Sequence, residues 1–190
     1  NGWVNQIGLR NKGIDYGIQT HQPNDVLSVA IQNKEDIPFL MDKIPKQMNL
    51  ELNVSCPNVG DALVQNNAHL KAFLNDEREW CIIKLSPHTH MEEITCFYEN
   101  GLRQFHCCNT LPSENGGLSG PQLRPYVIQM VKNIKHNYPD TTVIAGGGVR
   151  SIDDAQEYLD CGADHVSVST LCFNPLLMGL FLVSYDNTNI

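Results

Sequence analysis

The sequence predicts an α/β fold in which parallel strands alternate with helices, as in a TIM (β/α)8-type barrel that is incomplete in this chain. Short apolar, β-branched runs alternate with segments of helical periodicity through about six units. Polar or glycine-rich residues follow nearly every one of these strands. An open sheet binds its ligand at one switch point, whereas a barrel gathers all its strand ends around one mouth. We therefore expect a barrel rather than an open doubly wound sheet.

The predicted elements follow the chain in pairs. The strands are residues 26–31, 50–54, 80–85, 105–108, 143–145 and 166–168. The helices are residues 36–48, 68–74, 91–99, 123–138, 151–159 and 175–183. Pro45 should kink the first helix or end it early, because proline lacks the N–H that a helix interior requires. Ser151 and Asp154 have capping-box-like spacing, and the turn-rich residues 1–13 are predicted to be a loop.

Composition predicts a single soluble domain over residues 1–190. The chain is 42% hydrophobic, which is enough for one sizeable core. Its net charge of -8 and lack of clustered Lys and Arg argue against a nucleic-acid partner. No apolar run approaches the roughly 18 residues that suggest a membrane span. Seven cysteines without a C-x-x-C pair argue against a disulfide framework and a metal site, and indicate a cytoplasmic protein.

The clearest candidate for a reactive centre is Asn53-Val54-Ser55-Cys56-Pro57-Asn58, which follows the second predicted strand. A deprotonated thiol at Cys56 could act as a nucleophile or a proton acceptor. The carboxamides of Asn53 and Asn58 offer the paired donors and acceptors that suit a planar, amide-rich ligand. The alternative is that Cys56 is a small buried residue and the asparagines only shape a turn.

Other strand ends carry further candidates, each with a structural alternative. Lys84 stands inside the apolar run 81–85, where its ammonium should meet an anion or a polar ligand unless it points to solvent. Residues 146–148 are three glycines that could approach an anion or form a tight turn, and Ser169-Thr170 follow the next strand. Residues 116–120 are dense enough in glycine for close approach to a ligand or for a flexible linker.

Seven motifs, taken together and in order, resemble those of the dihydroorotate dehydrogenase family. They are Asn5-Gln6-Ile7-Gly8-Leu9, residues 51–58, Ile83-Lys84-Leu85-Ser86-Pro87, Asn109-Thr110, and residues 116–120, 144–149 and 162–170. The resemblance spans nearly the whole chain. It implies a flavin-bearing TIM barrel that oxidises dihydroorotate to orotate in pyrimidine biosynthesis.

The resemblance also implies a role for individual residues. Cys56 falls at the position of the catalytic base, and a cysteine there is similar to the soluble cytoplasmic class. The implied substrate-binding residues are Asn5, Ile7, Gly8, Leu9, Asn53, Asn58, Asn109 and Thr110. The implied FMN-binding residues are Lys84, Gly120, Gly147, Gly148, Ser169 and Thr170.

The sequence departs from the family in three places, one of which is the stretch from Asn109 to Gly116, much shorter than the excursion usual in the soluble classes. The family's barrel begins with two strands that precede the equivalent of Asn5, and we expect this chain to lack them. Ser169 stands where the family has a glycine. We expect a small-molecule substrate, a homo-oligomer and an electron-transfer partner subunit, while the electron acceptor is left open.

Two alternative functions remain at this point. Dihydropyrimidine dehydrogenase shares much of the Asn-x-Ser-Cys-Pro motif, but it typically carries His where Asn58 stands, and this chain has no cysteine-rich iron–sulfur segment. The second alternative is a catalytically silent barrel fragment that serves as a binding or assembly surface. The exposed sheet edges of such a fragment would favour self-association. Retention of flavin distinguishes an enzyme from a silent fragment.

Overall fold

The computed structural model describes residues 2–6, 10–54 and 67–186. Contacts within these ranges divide the chain into two compact units. The N-terminal unit comprises residues 10–54, 67–85 and 89–104, and the C-terminal unit comprises residues 2–6, 86–88 and 105–186. The single domain over residues 1–190 stays a prediction.

The described residues contain nine strands and six α-helices. Strands β1 to β9 are Trp3–Asn5, Leu27–Ala30, Leu50–Asn53, Cys81–Leu85, Gln104–Cys107, Leu111–Ser113, Gly116–Ser119, Thr142–Gly146 and His165–Ser167. Helices α1 to α6 are Ile14–Thr20, Asp36–Lys43, Met91–Glu99, Arg124–Asn137, Ile152–Asp160 and Pro175–Asp186. Short 3-10 helices cover Asn67–Phe73, Pro121–Leu123 and Thr170–Phe173. The six predicted strands are β2, β3, β4, β5, β8 and β9, each within one residue of its predicted ends.

In the N-terminal unit, β2, β3 and β4 lie side by side as a parallel sheet with two different faces. One face is apolar and buried, and it carries Val29, Leu50, Leu52 and Ile83. The other face, here called the polar face, carries Ser28, Glu51, Asn53 and Lys84, together with Ala30 and the buried Ile82. Strands of a parallel sheet are usually apolar on both sides, because helices or a core cover them. Four polar residues on one face of this sheet are therefore unusual, which makes them candidates for a ligand site.

Helices α2 and α3 of the N-terminal unit begin and end where their sequences indicate, and the predicted helix over residues 68–74 is the 3-10 helix Asn67–Phe73. Helix α2 ends at Lys43, two residues before Pro45, as expected from the missing N–H of proline. Helix α3 covers the predicted residues, and the Glu93 carboxylate accepts a hydrogen bond from the His90 N–H at 2.9 Å. Helix α1 was not predicted. It buries no residue, so its sequence has no apolar stripe to reveal it.

In the C-terminal unit, β5, β8 and β9 lie in that order, with β8 and β9 parallel. Phe105, Val143 and Ala145 are fully buried on one face. Helix α4 buries the predicted stripe of Val127, Met130, Val131 and Ile134. Helix α5 begins at the predicted cap, where the Asp154 N–H donates to the Ser151 hydroxyl oxygen at 3.2 Å.

A second, antiparallel sheet in the C-terminal unit corrects two expectations. Trp3–Asn5, expected to be part of a loop, is β1, and it pairs with β7. The residues 116–119, for which a flexible linker was one alternative, are β7 itself, which also pairs with β6. These strands are three or four residues long and none of their residues is buried, so they lack the apolar alternation that announces a strand. The pairing of β1 with β7 depends on contacts distant in sequence, whereas β6 and β7 are consecutive strands of a hairpin.

Helix α6 extends three residues beyond its predicted end and is apolar around its circumference. Leu176, Leu180 and Val183 are 74%, 58% and 62% exposed. Among the described residues, no helix has the length and apolar character needed to cross a membrane.

Candidate functional site

The polar face of the N-terminal sheet brings two predicted ligand-binding residues together. Strand register places Asn53 directly beside Lys84, at the carboxyl ends of β3 and β4. Both side chains are half-buried rather than directed into solvent. The carboxyl ends of parallel strands are where barrel enzymes bind their ligands. The pair therefore offers an amide and an ammonium group side by side at such an end.

The ammonium group of Lys84 meets an anion, as its apolar surroundings predicted. That anion belongs to the chain itself, since Lys84 Nζ lies 3.2 Å from Glu51 Oε1. The same oxygen accepts a hydrogen bond from the Ser28 hydroxyl at 2.8 Å. Lys84 is only 23% exposed, so the alternative of a solvent-directed lysine is wrong.

Glu51 was missed as a functional residue by sequence reasoning. Within the described parts of the chain it is the one charged residue that is buried, with 8% of its surface exposed. The available signal was its position: it is a charged residue between the apolar Leu50 and Leu52 of a predicted strand. A buried carboxylate requires a partner, and Lys84 two positions further along the next strand supplies one.

Five predicted site residues lie outside the described residues. They are Ile7, Gly8, Leu9, Cys56 and Asn58. Cys56 and Asn58 follow β3 by three and five residues. Their roles stay predictions.

In the C-terminal unit, Asn5 and Thr110 lie against opposite edges of the same glycine-rich strand. Asn5 stands opposite Gly117 in the register of β1 and β7, and its Nδ2 is 3.5 Å from the Gly117 carbonyl oxygen. A Cβ atom added to Gly117 would come within 2.9 Å of Thr110 Cβ, so glycine permits this approach. Asn109, just after β5, accepts a hydrogen bond on Oδ1 from the Thr110 N–H at 2.9 Å.

Gly148 and Gly120 also lie together, although they are far apart in sequence. A Cβ atom on Gly148 would meet the Gly120 carbonyl oxygen at 2.7 Å and Pro121 Cα at 2.8 Å. All three glycines of this region, Gly120, Gly147 and Gly148, have positive φ, of 131°, 108° and 78°. Such backbone conformations are rarely adopted by residues with a side chain. The turn after β8 is therefore closed tightly against the end of β7.

Tyr158 anchors this turn. The side chain is fully buried, and its hydroxyl donates to the Gly147 carbonyl oxygen at 2.5 Å. Burial raises the pKa of the Tyr158 hydroxyl, so it stays protonated and able to donate. Arg124 joins α4 to α5, since its guanidinium pairs with both Asp154 and Glu157 of α5.

Ser169 and Thr170 follow β9, which lies parallel to β8. The turns after β8 and β9 therefore leave neighbouring strands at the same edge of the sheet, as predicted for an anion site. Ser169 has a φ of -131°, which any residue adopts. The serine that replaces the family's glycine is accommodated without backbone strain.

Two other thiols on these strands are packing residues. Burial raises the pKa of Cys81 to about 11, although nearby Arg78 opposes the shift. Burial also raises the pKa of Cys107 well above its usual value. A thiol with a raised pKa is a poor nucleophile because little of it is thiolate. Neither cysteine competes with Cys56 as a candidate base.

Strand ends with amides, a lysine and tightly turned glycines are typical of enzymes of the parallel α/β class. The sequence identifies the family within that class, because a profile for dihydroorotate dehydrogenase matches residues 1–178. The chain belongs to the dihydroorotate dehydrogenase family.

Three relatives illustrate the match, and all are named dihydroorotate dehydrogenase B (NAD(+)), catalytic subunit. Those of Bacillus cytotoxicus and Staphylococcus carnosus are 32% and 31% identical, over 93% of this chain and 68% of each relative. The protein from Thermotoga maritima is 30% identical, over 90% of this chain and 72% of the relative.

Solved structures share the fold. The ferulenol complex of the enzyme from Eimeria tenella superposes with a TM-score of 0.76 and 20% identity, covering 98% of this chain and 68% of that one. The ligand-free enzyme superposes with a TM-score of 0.63 and 22% identity, covering 84% and 57%. The predicted α/β fold of an incomplete TIM-type barrel is confirmed. The prediction of an oxidoreductase of pyrimidine biosynthesis is confirmed as well.

Proposed function

We propose that this chain is an FMN-dependent enzyme that oxidises dihydroorotate to orotate. The observation that carries the proposal is the pairing of Asn53 with Lys84 at the ends of β3 and β4. An amide suited to a planar amide-bearing substrate and a cation suited to a flavin ring are thereby direct neighbours. Membership of a flavin-dependent family supports the same assignment.

Each unit carries residues with the chemistry to hold a part of FMN. In the N-terminal unit, Lys84 offers a half-buried ammonium to the flavin ring. In the C-terminal unit, the phosphate would be held by backbone N–H groups of Gly147 and Gly148 and the hydroxyls of Ser169 and Thr170, with Gly120 beside them. Turns after neighbouring strands, rich in such donors, are a common phosphate site in barrels.

The substrate would be recognised by amide side chains. Asn53 in one unit and Asn5, Asn109 and Thr110 in the other match the resemblance, together with Asn58 and the segment 7–9 outside the described residues. Removing one partner of such a buried hydrogen bond costs about 1–3 kcal/mol. Orotate affinity should therefore fall in Asn53→Ala and Asn109→Ala. The exposed Asn137→Ala is the matched control.

Cys56 is assigned as the base. As a thiolate, it would remove the proton from C5 of dihydroorotate, while Asn53 orients the ring. FMN, when bound, supplies the acceptor for the hydride that leaves C6. Positioned acid–base groups contribute about 10² to 10⁴ in rate, so Cys56→Ala should slow flavin bleaching by that factor and still retain FMN. Cys56→Ser should need higher pH, because a hydroxyl is the weaker acid.

Anaerobic mixing of the FMN-loaded chain with dihydroorotate tests the proposal. Loss of the visible flavin absorbance would support the proposal. A chain that folds but takes up no FMN would instead be the silent fragment that serves as an assembly surface. Bleaching at the wild-type rate in Cys56→Ala would remove the thiol from the mechanism.

The names of the relatives support a partner subunit. Because several are called catalytic subunits, an electron-transfer partner subunit is proposed for this chain as well. Co-expression with the partner of the Bacillus cytotoxicus relative, followed by size-exclusion chromatography, should give a complex. Chromatography of the chain alone tests the expected homo-oligomer. Elution as a monomer in both experiments would contradict the assembly.

A further inference from the structure

Glu51, the ion-pair partner of Lys84, has no role in the function proposed above. Glu51 is 8% exposed, and its Oε1 accepts from two donors, Lys84 Nζ at 3.2 Å and the Ser28 hydroxyl at 2.8 Å. All three side chains lie on the polar face of the N-terminal sheet. They form a hydrogen-bonded series from Ser28 on β2 through Glu51 on β3 to Lys84 on β4.

Strand register determines this arrangement. Ser28 stands directly beside Glu51, and Asn53 stands directly beside Lys84. Because side chains of one strand alternate between faces, Glu51 and Asn53 share a face two residues apart. The ammonium of Lys84 therefore reaches diagonally back to Glu51, and the amide of Asn53 lies next to the same lysine.

Stability alone does not account for a carboxylate at this position. A buried ion pair is often no more stable than apolar residues of the same volume, because desolvating both charges offsets their attraction. A lysine head group on a four-carbon stem, in contrast, occupies many positions unless a partner holds it. Replacing both partners together by apolar residues should therefore change stability little, whereas removing one partner leaves the other charge buried alone. The clear effect of the pair is on where the Lys84 charge lies.

We propose that Glu51 is a positioning residue that holds the Lys84 ammonium in place for the flavin, and that Ser28 orients the Glu51 carboxylate. The inference rests on the proposed function, in which Lys84 contacts FMN. Glu51 acts through Lys84 and touches neither substrate nor flavin. Two consequences follow: Glu51 should matter only while Lys84 is present, and Lys84 should be immobile before any flavin binds.

A double-mutant cycle tests the first consequence in the full chain. FMN affinity is measured for wild type, Glu51→Gln, Lys84→Met and the double variant. Glu51→Gln should weaken binding of FMN about tenfold, which is the size of effect seen when the hydrogen-bond partner of a metal ligand is removed. In the Lys84→Met background it should have no further effect. Asp15→Asn is the matched control, because Asp15 pairs with Lys43 in the same unit but at the surface.

The second consequence is tested without flavin. In nitrogen-15 NMR spectra, the NH3+ signal of Lys84 should be resolved in wild type and lost in Glu51→Gln. If Glu51→Gln fails to fold, Ser28→Ala keeps both charges and should still weaken FMN binding and broaden that signal. Ser28→Ala then takes the place of Glu51→Gln in the cycle.

Each outcome decides between the possibilities. The inference is wrong if Glu51→Gln lowers FMN affinity equally in the wild-type and Lys84→Met backgrounds, or in neither. It is also wrong if the NH3+ signal of Lys84 is unchanged in Glu51→Gln. Failure of the wild-type chain to bind FMN overturns the proposed function and removes the inference with it. That case is distinguishable, because the Lys84 signal would still depend on Glu51.

Discussion

The polar face of β2, β3 and β4 and the glycine turns beside β7 and β8 prepare for a ligand in opposite ways. The first region places charged side chains, and each is held by a partner, as Lys84 is by Glu51. In the second region, backbone segments lie close together. This approach is possible because glycine has no side chain, as at Gly148 beside Gly120. The first should therefore be sensitive to removing a charge, and the second to adding a single carbon atom. Four substitutions break or sharpen this contrast.

The largest effect is expected at Gly148. An alanine there combines a positive φ with a clash against backbone that cannot move aside, so we expect a loss of about 4 kcal/mol in the free energy of unfolding. Gly13 is the matched control, because it has a φ of 86° but nothing within 4 Å of an added Cβ. Gly13→Ala should cost about 2 kcal/mol from strain alone. Urea denaturation measures both, and equal losses would show that the contact with Gly120 is unimportant.

The second effect concerns charge. Lys84→Met leaves the buried Glu51 carboxylate without its ammonium partner, so we expect a loss of about 3 kcal/mol. Lys43→Met breaks the exposed ion pair with Asp15, and it should cost less than about 1 kcal/mol. Thermal or urea unfolding compares the two variants. A similar small cost in both would mean that water replaces the ammonium beside Glu51.

The third effect tests the anchor of the glycine turn. Tyr158→Phe removes the hydroxyl that donates to the Gly147 carbonyl, so about 1–2 kcal/mol should be lost together with part of the FMN affinity. Tyr126→Phe is the control, because Tyr126 is 42% exposed. Fluorescence titration with FMN and urea unfolding provide the two measurements. Unchanged FMN affinity in a destabilised Tyr158→Phe would confine the hydroxyl to a structural role.

The smallest effect depends on pH. The folded-state pKa of Cys81 is raised from about 9 to about 11, chiefly by burial, so folding favours the neutral thiol. This contribution is fully present below pH 9 and is lost as pH rises through the interval up to about pH 11. Wild type should lose about 1 kcal/mol more than Cys81→Ala between pH 9 and about pH 10. Parallel stability curves for the two proteins across that interval would contradict the burial of this thiol.

Much of the fold was predictable because its signals are local. The six parallel strands were located to within one residue, since each is a short apolar run flanked by turn residues. The end of α2 before Pro45 and the Ser151 cap of α5 depend on neighbouring residues alone. Helix α1 and strands β1, β6 and β7 were not predicted. None of their residues is buried, so no periodic apolar pattern marks them.

The candidate site was predictable as residue types but not as contacts. The sequence indicated Lys84 and Asn53 as ligand-binding residues, and their pairing follows from strand register. It did not indicate that Glu51 would hold Lys84, because that contact depends on how β3 and β4 align. It also did not indicate that Gly148 must be glycine because of Gly120, which is distant in the chain.

The sequence by itself determined the order of strands and helices, the family and the residue types at the strand ends, because apolar periodicity, caps and motifs are properties of short segments. The tertiary structure alone decided which of these residues meet. The Glu51–Lys84 pair, the Tyr158 anchor and the approach of Gly148 to Gly120 join residues that are 33, 11 and 28 positions apart in the sequence. Such contacts arise only when strands are registered and turns are closed, and no local pattern encodes that alignment.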